Sequence, residues 1–182
     1  LLADTVGGGR DDARLSALVL SLYDKMQCHA RPELWAQRQV ELLALNGVTD
    51  VGSTPWGQAL LARVHESAAH WCGVLEAQLE VMADAGMEWL MGIYGSSISA
   101  TVDGLHTLAD ACDRSWDEAI AALQSVPFPR LGSVRSAPDP DTREHVKAQR
   151  DAAKKAVQTL QKQMTTDSAQ ALADLHTTAP AM

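Results

Sequence analysis

Apolar side chains recur every three or four positions along most of the chain, the spacing that places them on one face of an α-helix. The alternation of apolar and polar residues that is typical of β-strands is almost absent, while Ala, Leu, Gln and Glu are abundant. The pattern therefore predicts an all-α fold, a multi-helix bundle or arm built around one long central helix.

The strongest pattern begins at Thr54-Pro55, a capping residue followed by a proline suited to the first helical turn. It continues to Gly86, where we expect the helix to end or kink. One apolar face extends over about eight turns, so a helix about 45 Å long is expected to be the spine of the fold. This face comprises Trp56, Leu60, Leu61, Val64, Ala68, Trp71, Leu75, Leu79 and Met82.

Two shorter helices are predicted before the spine. The first begins near Asp11 or Asp12, because carboxylates favour helix starts, and the second begins at Pro32 and stops at Asn46-Gly47. The apolar stripe of the first helix comprises Leu15, Leu18, Val19, Leu22 and Met26, and the second helix is expected to bury Trp35, Leu42 and Leu43.

After the spine, residues 87–112 are predicted to be helical, although Gly92, Gly95 and Gly104 weaken the middle of that stretch. Ser115 and Glu118 have the spacing of a capping box, which predicts a short helix ending near residue 124.

The last third of the chain is predicted to start with a proline-pinned segment at 127–130 and a mobile loop at 131–140. Asp141 or Thr142 is then expected to cap a long helix that ends near Met164. A final short helix is expected to begin at Asp167.

Composition and charge restrict the class of protein. Of the 182 residues, 46% are hydrophobic and 21% are charged, as in soluble globular proteins. The net charge of −8 argues against a free-standing nucleic-acid binder held by bulk charge. No apolar run approaches the roughly 20 residues of a membrane span, and three widely spaced cysteines fit a reducing, cytoplasmic setting.

The charge is divided unevenly. Residues 1–128 have a net charge of −10 and residues 129–182 a net charge of +2, with six basic and two acidic side chains within 143–162. We expect Arg143, Lys147, Arg150 and Lys154 to share one face of the long C-terminal helix. Such a face is either the solvated side of an amphipathic helix or a phosphate-contacting patch on a larger protein.

Catalytic and metal motifs are not apparent in the sequence. Gly7-Gly8-Gly9-Arg10 lacks the Gly-Lys-Ser/Thr of a phosphate-binding loop, and His65 and His70 are five positions apart rather than the four that align two zinc ligands. We therefore expect no catalytic, cofactor or metal site in these residues. Because the chain opens with Leu1 and carries no catalytic motif, we expect a segment of a longer protein.

Two groups of motifs resemble those of a known family. The N-terminal group reads Gly9-Arg10-Asp11-Asp12, then a Leu-rich helix to Tyr23, then Pro32-Glu33-Leu34-Trp35. The C-terminal group reads Trp116-Asp117, then Phe128-Pro129-Arg130-Leu131, then Val146-Lys147 through Arg150-Asp151 to Lys154-Lys155. In this order, the motifs resemble the helical insert of the AddA-type subunits of RecB-like, superfamily 1 (UvrD-type) helicase–nucleases, from about residue 8 to 163.

This resemblance implies a 1B-type accessory subdomain over residues 1–163, followed by a short C-terminal helix or tail over 164–182. It implies a non-catalytic part of an enzyme of double-strand-break repair, whose ATP and Mg²⁺ bind outside this segment. The implied partners are DNA and an AddB-like subunit. Phosphate contacts are expected from Arg130, Arg143, Lys147, Arg150, Lys154 and Lys155. The alternative interpretation is a stand-alone helical adaptor that binds another protein through an exposed apolar stripe.

Overall fold

The computed structural model describes residues 12–41, 47–133 and 138–178. Within these ranges every regular element is helical, which confirms the predicted all-α fold and its long central helix. The predictions for Gly7 to Asp11, for Leu42 and Leu43, and for Asn46 fall outside the described residues, as do positions 134–137 of the predicted loop.

The chain divides into two compact units, residues 1–46 and 47–182. The first unit contains α1 (Asp12–Gln27) and α2 (Pro32–Glu41). The second begins with a 3-10 turn, Val51–Ser53. Its helices are α3 (Pro55–Ala83), α4 (Glu88–Leu90), α5 (Ser96–Cys112), α6 (Trp116–Ser125), α7 (Pro140–Gln163) and α8 (Ser168–Thr178), with a π-helical segment, Met91–Gly95, between α4 and α5.

The spine of the second unit is α3, and both of its ends follow from local sequence. The Thr54 hydroxyl accepts a hydrogen bond from the Gly57 amide at 3.0 Å, and Pro55 occupies the first turn, where its missing N–H costs nothing. The helix ends at Ala83, and Gly86 adopts a φ of +92°, which few other residues tolerate. The predicted start and end are therefore confirmed.

The core of the second unit lies between α3 and α5. Leu75 of α3 and Ile98, Leu105 and Leu108 of α5 are fully buried. Most of the predicted apolar face of α3 is buried or half-buried, as a helix packed along its length requires, but Leu60 remains 39% exposed.

The glycines of residues 87–112 mark a structured irregularity. The predicted helical stretch is confirmed, but Met91–Gly95 forms a π turn that the sequence pattern did not predict. A Cβ atom at Gly104 would collide with the Pro127 ring, so the glycine allows the segment after α6 to approach α5 closely. Gly104 therefore serves packing at the expense of local helix propensity.

The capping predictions are confirmed in part. The Ser115 hydroxyl caps α6 by accepting from the Glu118 amide at 3.2 Å. The reciprocal half of the capping box is wrong, because the Glu118 carboxylate accepts from the Arg114 side chain and the Ser115 amide donates to the Ala111 carbonyl. The cap of α7 is also wrong by two residues or more, since Asp139 is the residue that caps it.

The C-terminal helix α8 starts as predicted and packs within the second unit. The Ser168 hydroxyl accepts from the Val51 amide at 2.8 Å, and the Ser168 amide donates to the Asp117 carboxylate at 2.7 Å. The Trp116 indole donates to the Thr166 carbonyl at 2.9 Å. Thr166 and Ser168, within the region expected to be a short C-terminal helix or tail, are therefore bonded to the 3-10 turn and to the start of α6.

The first unit differs in burial. The predicted stripe of α1 lies on a helix, but Leu18, Val19 and Leu22 are more than half exposed. The expected burial of Trp35 is wrong, because its side chain is half-buried and stacks on the His29 ring at 4.7 Å between centroids.

Candidate nucleic-acid interface

The candidate interface is built on α7, the most strongly amphipathic long helix of the second unit. Asp139 accepts hydrogen bonds from the Asp141 and Thr142 amides at 3.1 Å, and Pro140 follows at the first helical position. These hydrogen bonds and the one from the Thr142 hydroxyl, which has the largest effect, lower the pKa of Asp139 below its usual range. The cap thus fixes where the helix begins.

The apolar face of α7 packs on the rest of the second unit. Val146, Ala153, Val157 and Leu160 are buried on this face. The Gln161 amide group donates to the Leu123 carbonyl of α6 at 2.8 Å, which ties the C-terminal half of α7 to α6. Most of the basic residues of α7 lie outside this apolar face, where their side chains are exposed or half-buried.

Arg150 departs from the exposed position that the sequence predicts. The side chain is buried among the apolar residues of α7, with its guanidinium 5.7 Å from the centroid of the Phe128 ring. One guanidinium nitrogen donates to the Pro129 carbonyl and another lies 3.8 Å from the Asp151 carboxylate. Burial lowers the pKa of Arg150 from its usual value, although arginine stays charged at neutral pH.

The expectation of four cations on one solvent face is therefore wrong at Arg150. The physical reason is the position of Arg150 on the helix. It lies on the same side of α7 as the buried residues Val146, Ala153 and Val157. A guanidinium placed there donates one hydrogen bond to the Pro129 carbonyl and lies over the Phe128 ring, while its Nε is buried without a hydrogen-bond partner among the described residues.

The other predicted cations remain near the surface. Arg143 is half-buried and pairs with the Glu144 carboxylate at 2.7 Å, while the Lys147 ammonium lies 3.7 Å from the second oxygen of Glu144. Lys154 is half-buried and Lys155 is exposed. Lys147 and Lys154 lie seven positions apart, which places them on one side of α7, two turns apart.

The segment that carries Arg130 is held against both α5 and α7. The Thr101 hydroxyl donates to the Pro127 carbonyl at 2.8 Å, and the Ser97 hydroxyl lies 3.5 Å from the Arg130 carbonyl. Because Arg150 also donates to the Pro129 carbonyl, the segment that carries the exposed Arg130 side chain is bonded to α7. The structure thus brings together two motifs that are 20 residues apart in the sequence.

A second cluster of chemically active groups lies between α3 and α5. The Cys72 thiol is 3.9 Å from the Glu76 carboxylate, which lies 2.9 Å from the His106 ring nitrogen. Burial, and then the nearby Glu76 charge, raise the pKa of Cys72 to about 11. Sequence spacing did not predict this cluster, because His106 is 30 positions from Glu76 and on another helix.

An open cleft of about 510 Å³ lies beside the start of α6. It is lined on one side by the 3-10 turn with Asp50 and on the other by His65 and Glu66 of α3 and by Arg114. Charges of both signs line this cleft, so it lacks the uniformly cationic character of a phosphate-binding groove.

Comparison with known proteins finds relatives along the whole segment. No family model matches the chain. The AddA subunit of the ATP-dependent helicase/nuclease of Acetivibrio thermocellus is 33% identical to it over 184 aligned positions, which cover the entire chain and 15% of that protein. The chain is homologous to a segment of the AddA family. The resemblance of the two motif groups to AddA-type subunits is thereby confirmed.

Other AddA proteins give the same picture. The AddA protein of Syntrophomonas wolfei is 27% identical over 96% of the chain, and that of Heliobacterium modesticaldum is 29% identical over 88%. The chain spans 12–15% of the length of these three relatives. Among the described residues of this AddA-like segment, none of the helices has the length and hydropathy required to cross a membrane.

Proposed function

We propose that this chain is a non-catalytic helical subdomain of a DNA helicase/nuclease subunit that acts in double-strand-break end processing. Similarity over the whole chain to the AddA subunits of ATP-dependent helicase/nucleases supports this proposal. In the proposed enzyme, ATP and Mg²⁺ bind in other parts of the polypeptide, and an AddB-like subunit is the partner. The proposed subdomain corresponds to the 1B-type insert.

The proposed role of the segment is to position DNA through its phosphates. One observation supports this role most directly. Arg130 lies on a segment bonded to α7, and the surface of α7 carries the other proposed phosphate contacts. Phosphate contacts fix register and hold little sequence information, which suits a motor that moves along any sequence. The proposed contacts are Arg130, Arg143, Lys147, Lys154 and Lys155.

Arg150 has a different proposed role. Its guanidinium is buried and bonded to the Pro129 carbonyl, so it is not available to a phosphate group. We assign it to holding the Arg130 segment at a fixed position beside α7. The side of α7 that meets DNA therefore has one cation fewer than the sequence alone predicts.

Charge reversal in the intact helicase/nuclease tests the proposed interface. The variant Lys147→Glu/Lys154→Glu/Lys155→Glu is expected to slow unwinding at raised salt by about 10-fold or more, because three phosphate contacts become repulsive. DNA-independent ATP hydrolysis is expected to be unchanged.

The matched control makes the same change of charge elsewhere. Lys25→Glu/Arg38→Glu/Arg63→Glu alters three exposed cations on α1, α2 and α3. Unwinding by this control is expected to stay within about two-fold of the wild type. Equal losses in the two variants would show that net charge, rather than the α7 side, determines DNA engagement.

Protein binding is the second candidate function, and the exposed apolar side chains of α1 favour it. Leu18, Leu20 and Tyr23 are 67%, 62% and 55% exposed. Exposed apolar helix faces are a common means of binding another helix or groove. Unwinding that is unaffected by charge reversal on α7 would favour this adaptor role over the proposed DNA contact.

A further inference from the structure

Three potential metal ligands converge between the two central helices of the second unit. Cys72 and Glu76 lie one turn apart on α3, and His106 faces them from α5. The Cys72 sulfur, a Glu76 carboxylate oxygen and a His106 ring nitrogen all lie within 4.8 Å of one another. We propose that these three side chains bind a single zinc-type transition-metal ion that connects α3 to α5.

The distances between the donor atoms fit one small ion. A tetrahedral zinc with its usual bond lengths to S, N and O holds its ligand atoms roughly 3.3–3.6 Å apart. The Glu76 oxygen is 2.9 Å from the His106 nitrogen and 3.9 Å from the Cys72 sulfur. These two distances differ from the tetrahedral values by about half an ångström or less. The sulfur and the His106 nitrogen lie within 4.8 Å of each other, so rotation of the exposed His106 and Glu76 side chains would complete the coordination sphere.

The chemistry of the three ligands selects the class of metal. A thiolate and an imidazole favour zinc and similar ions, whereas magnesium and calcium prefer oxygen ligands alone. On binding, the sulfur–metal bond replaces the thiol proton, which leaves to solvent. The metal likewise takes the place of the hydrogen bond between Glu76 and His106.

Exposure of the site is suited to metal entry from solvent. The side chains of His106 and Glu76 are 58% and 48% exposed, while Cys72 is buried beneath them. Three protein ligands leave the fourth tetrahedral position for a water molecule. The proposed ion therefore lies on the solvent-exposed side of the α3–α5 contact, and the Cys72 thiolate binds it from the core side.

The test uses the 182-residue chain with Cys28→Ser, because Cys28 is exposed and an accessible thiol competes for soft metal ions. Zn²⁺ is titrated against a chromophoric chelator, and Co²⁺ is used as a spectroscopic probe. One equivalent of Zn²⁺ is expected to bind, and Co²⁺ is expected to give a thiolate charge-transfer band. His106→Asn and Cys72→Ser are each expected to weaken Zn²⁺ binding by at least about 10-fold.

The control is Cys112→Ser, which removes a buried thiol outside the cluster. Its Zn²⁺ affinity and Co²⁺ band are expected to match those of the Cys28→Ser background. Metal binding that survives His106→Asn, or a Co²⁺ complex without a thiolate band, would overturn the proposal. Circular dichroism verifies folding, and the exposed His106→Asn variant decides the question if Cys72→Ser does not fold.

Discussion

Helix α1 and helix α3 have similar apolar periodicity but opposite burial. In α3, Val64, Leu75 and Met82 are almost completely buried against other helices of the second unit. In α1, Leu18 and Leu22 occupy equivalent places in the pattern and are more than half exposed. The comparison shows that periodicity predicts which residues share a helix face, while burial depends on whether another element covers that face.

Truncation of one leucine on each helix tests this difference most strongly. Leu75→Ala is expected to lower the free energy of unfolding by about 2–5 kcal/mol, because it removes fully buried methyl groups and leaves a cavity. Leu22→Ala is expected to change it by no more than about 0.5 kcal/mol, as for most exposed positions. Urea unfolding followed by circular dichroism measures both. Similar losses in the two variants would show that α1 is covered in solution.

Two glycines in the second unit allow the same comparison within one unit, because Gly104 faces Pro127 and Gly73 faces solvent. Gly104→Ala is expected to destabilise the fold by about 1–3 kcal/mol, because the new methyl group collides with Pro127. Gly73→Ala, on an exposed part of α3 with nothing near its Cβ position, is expected to stabilise the fold by up to about 1 kcal/mol. Thermal unfolding of both variants measures this, and stabilisation by Gly104→Ala would contradict the close packing of α5 on Pro127.

The smallest expected effect is a pH dependence of the free energy of unfolding. It comes from the cap at the start of α7, where the capping carboxylate is not buried. The pKa of Asp139 is lowered by the Thr142 hydroxyl, then by backbone amides, so its contribution to stability is present above the ordinary value of 3.8. That contribution is lost as the pH falls through the lower pKa of the folded state.

Asp139→Asn removes this titration. The variant is expected to have a lower free energy of unfolding than the wild type, and the difference is expected to be larger at pH 7 than at pH 3. Urea unfolding at both pH values measures it. Asp110→Asn, an exposed change in the last turn of α5 and away from the cap of α7, serves as the control. A difference that is the same at both pH values would show that the Asp139 charge does not contribute to the cap.

Local signals in the sequence predicted much of the fold. Thr54-Pro55, Ser115 and Asp167 each act within one helical turn, so the starts of α3, α6 and α8 were predicted correctly. The same reasoning missed the cap of α7, because Asp139, Asp141 and Thr142 are all suitable capping residues. The choice among them depends on how the preceding segment enters the helix.

The candidate sites were harder to predict because they depend on tertiary contacts. Arg150 has the same chemistry and spacing as the neighbouring cations, and its burial is determined by Phe128 and Pro129, which lie outside α7. The cluster of Cys72, Glu76 and His106 requires the register between α3 and α5. No spacing rule along one helix contains that information.

The bond from Arg150 to the Pro129 carbonyl distinguishes this position from the other basic positions of α7. At Lys147 or Lys155, an arginine would provide the same positive charge, so the two residue types are interchangeable there. At position 150, a lysine would lose the planar group that lies over the Phe128 ring while donating to a carbonyl. Evolutionary exchange between the two basic residues is therefore expected along most of the helix, but not at this one.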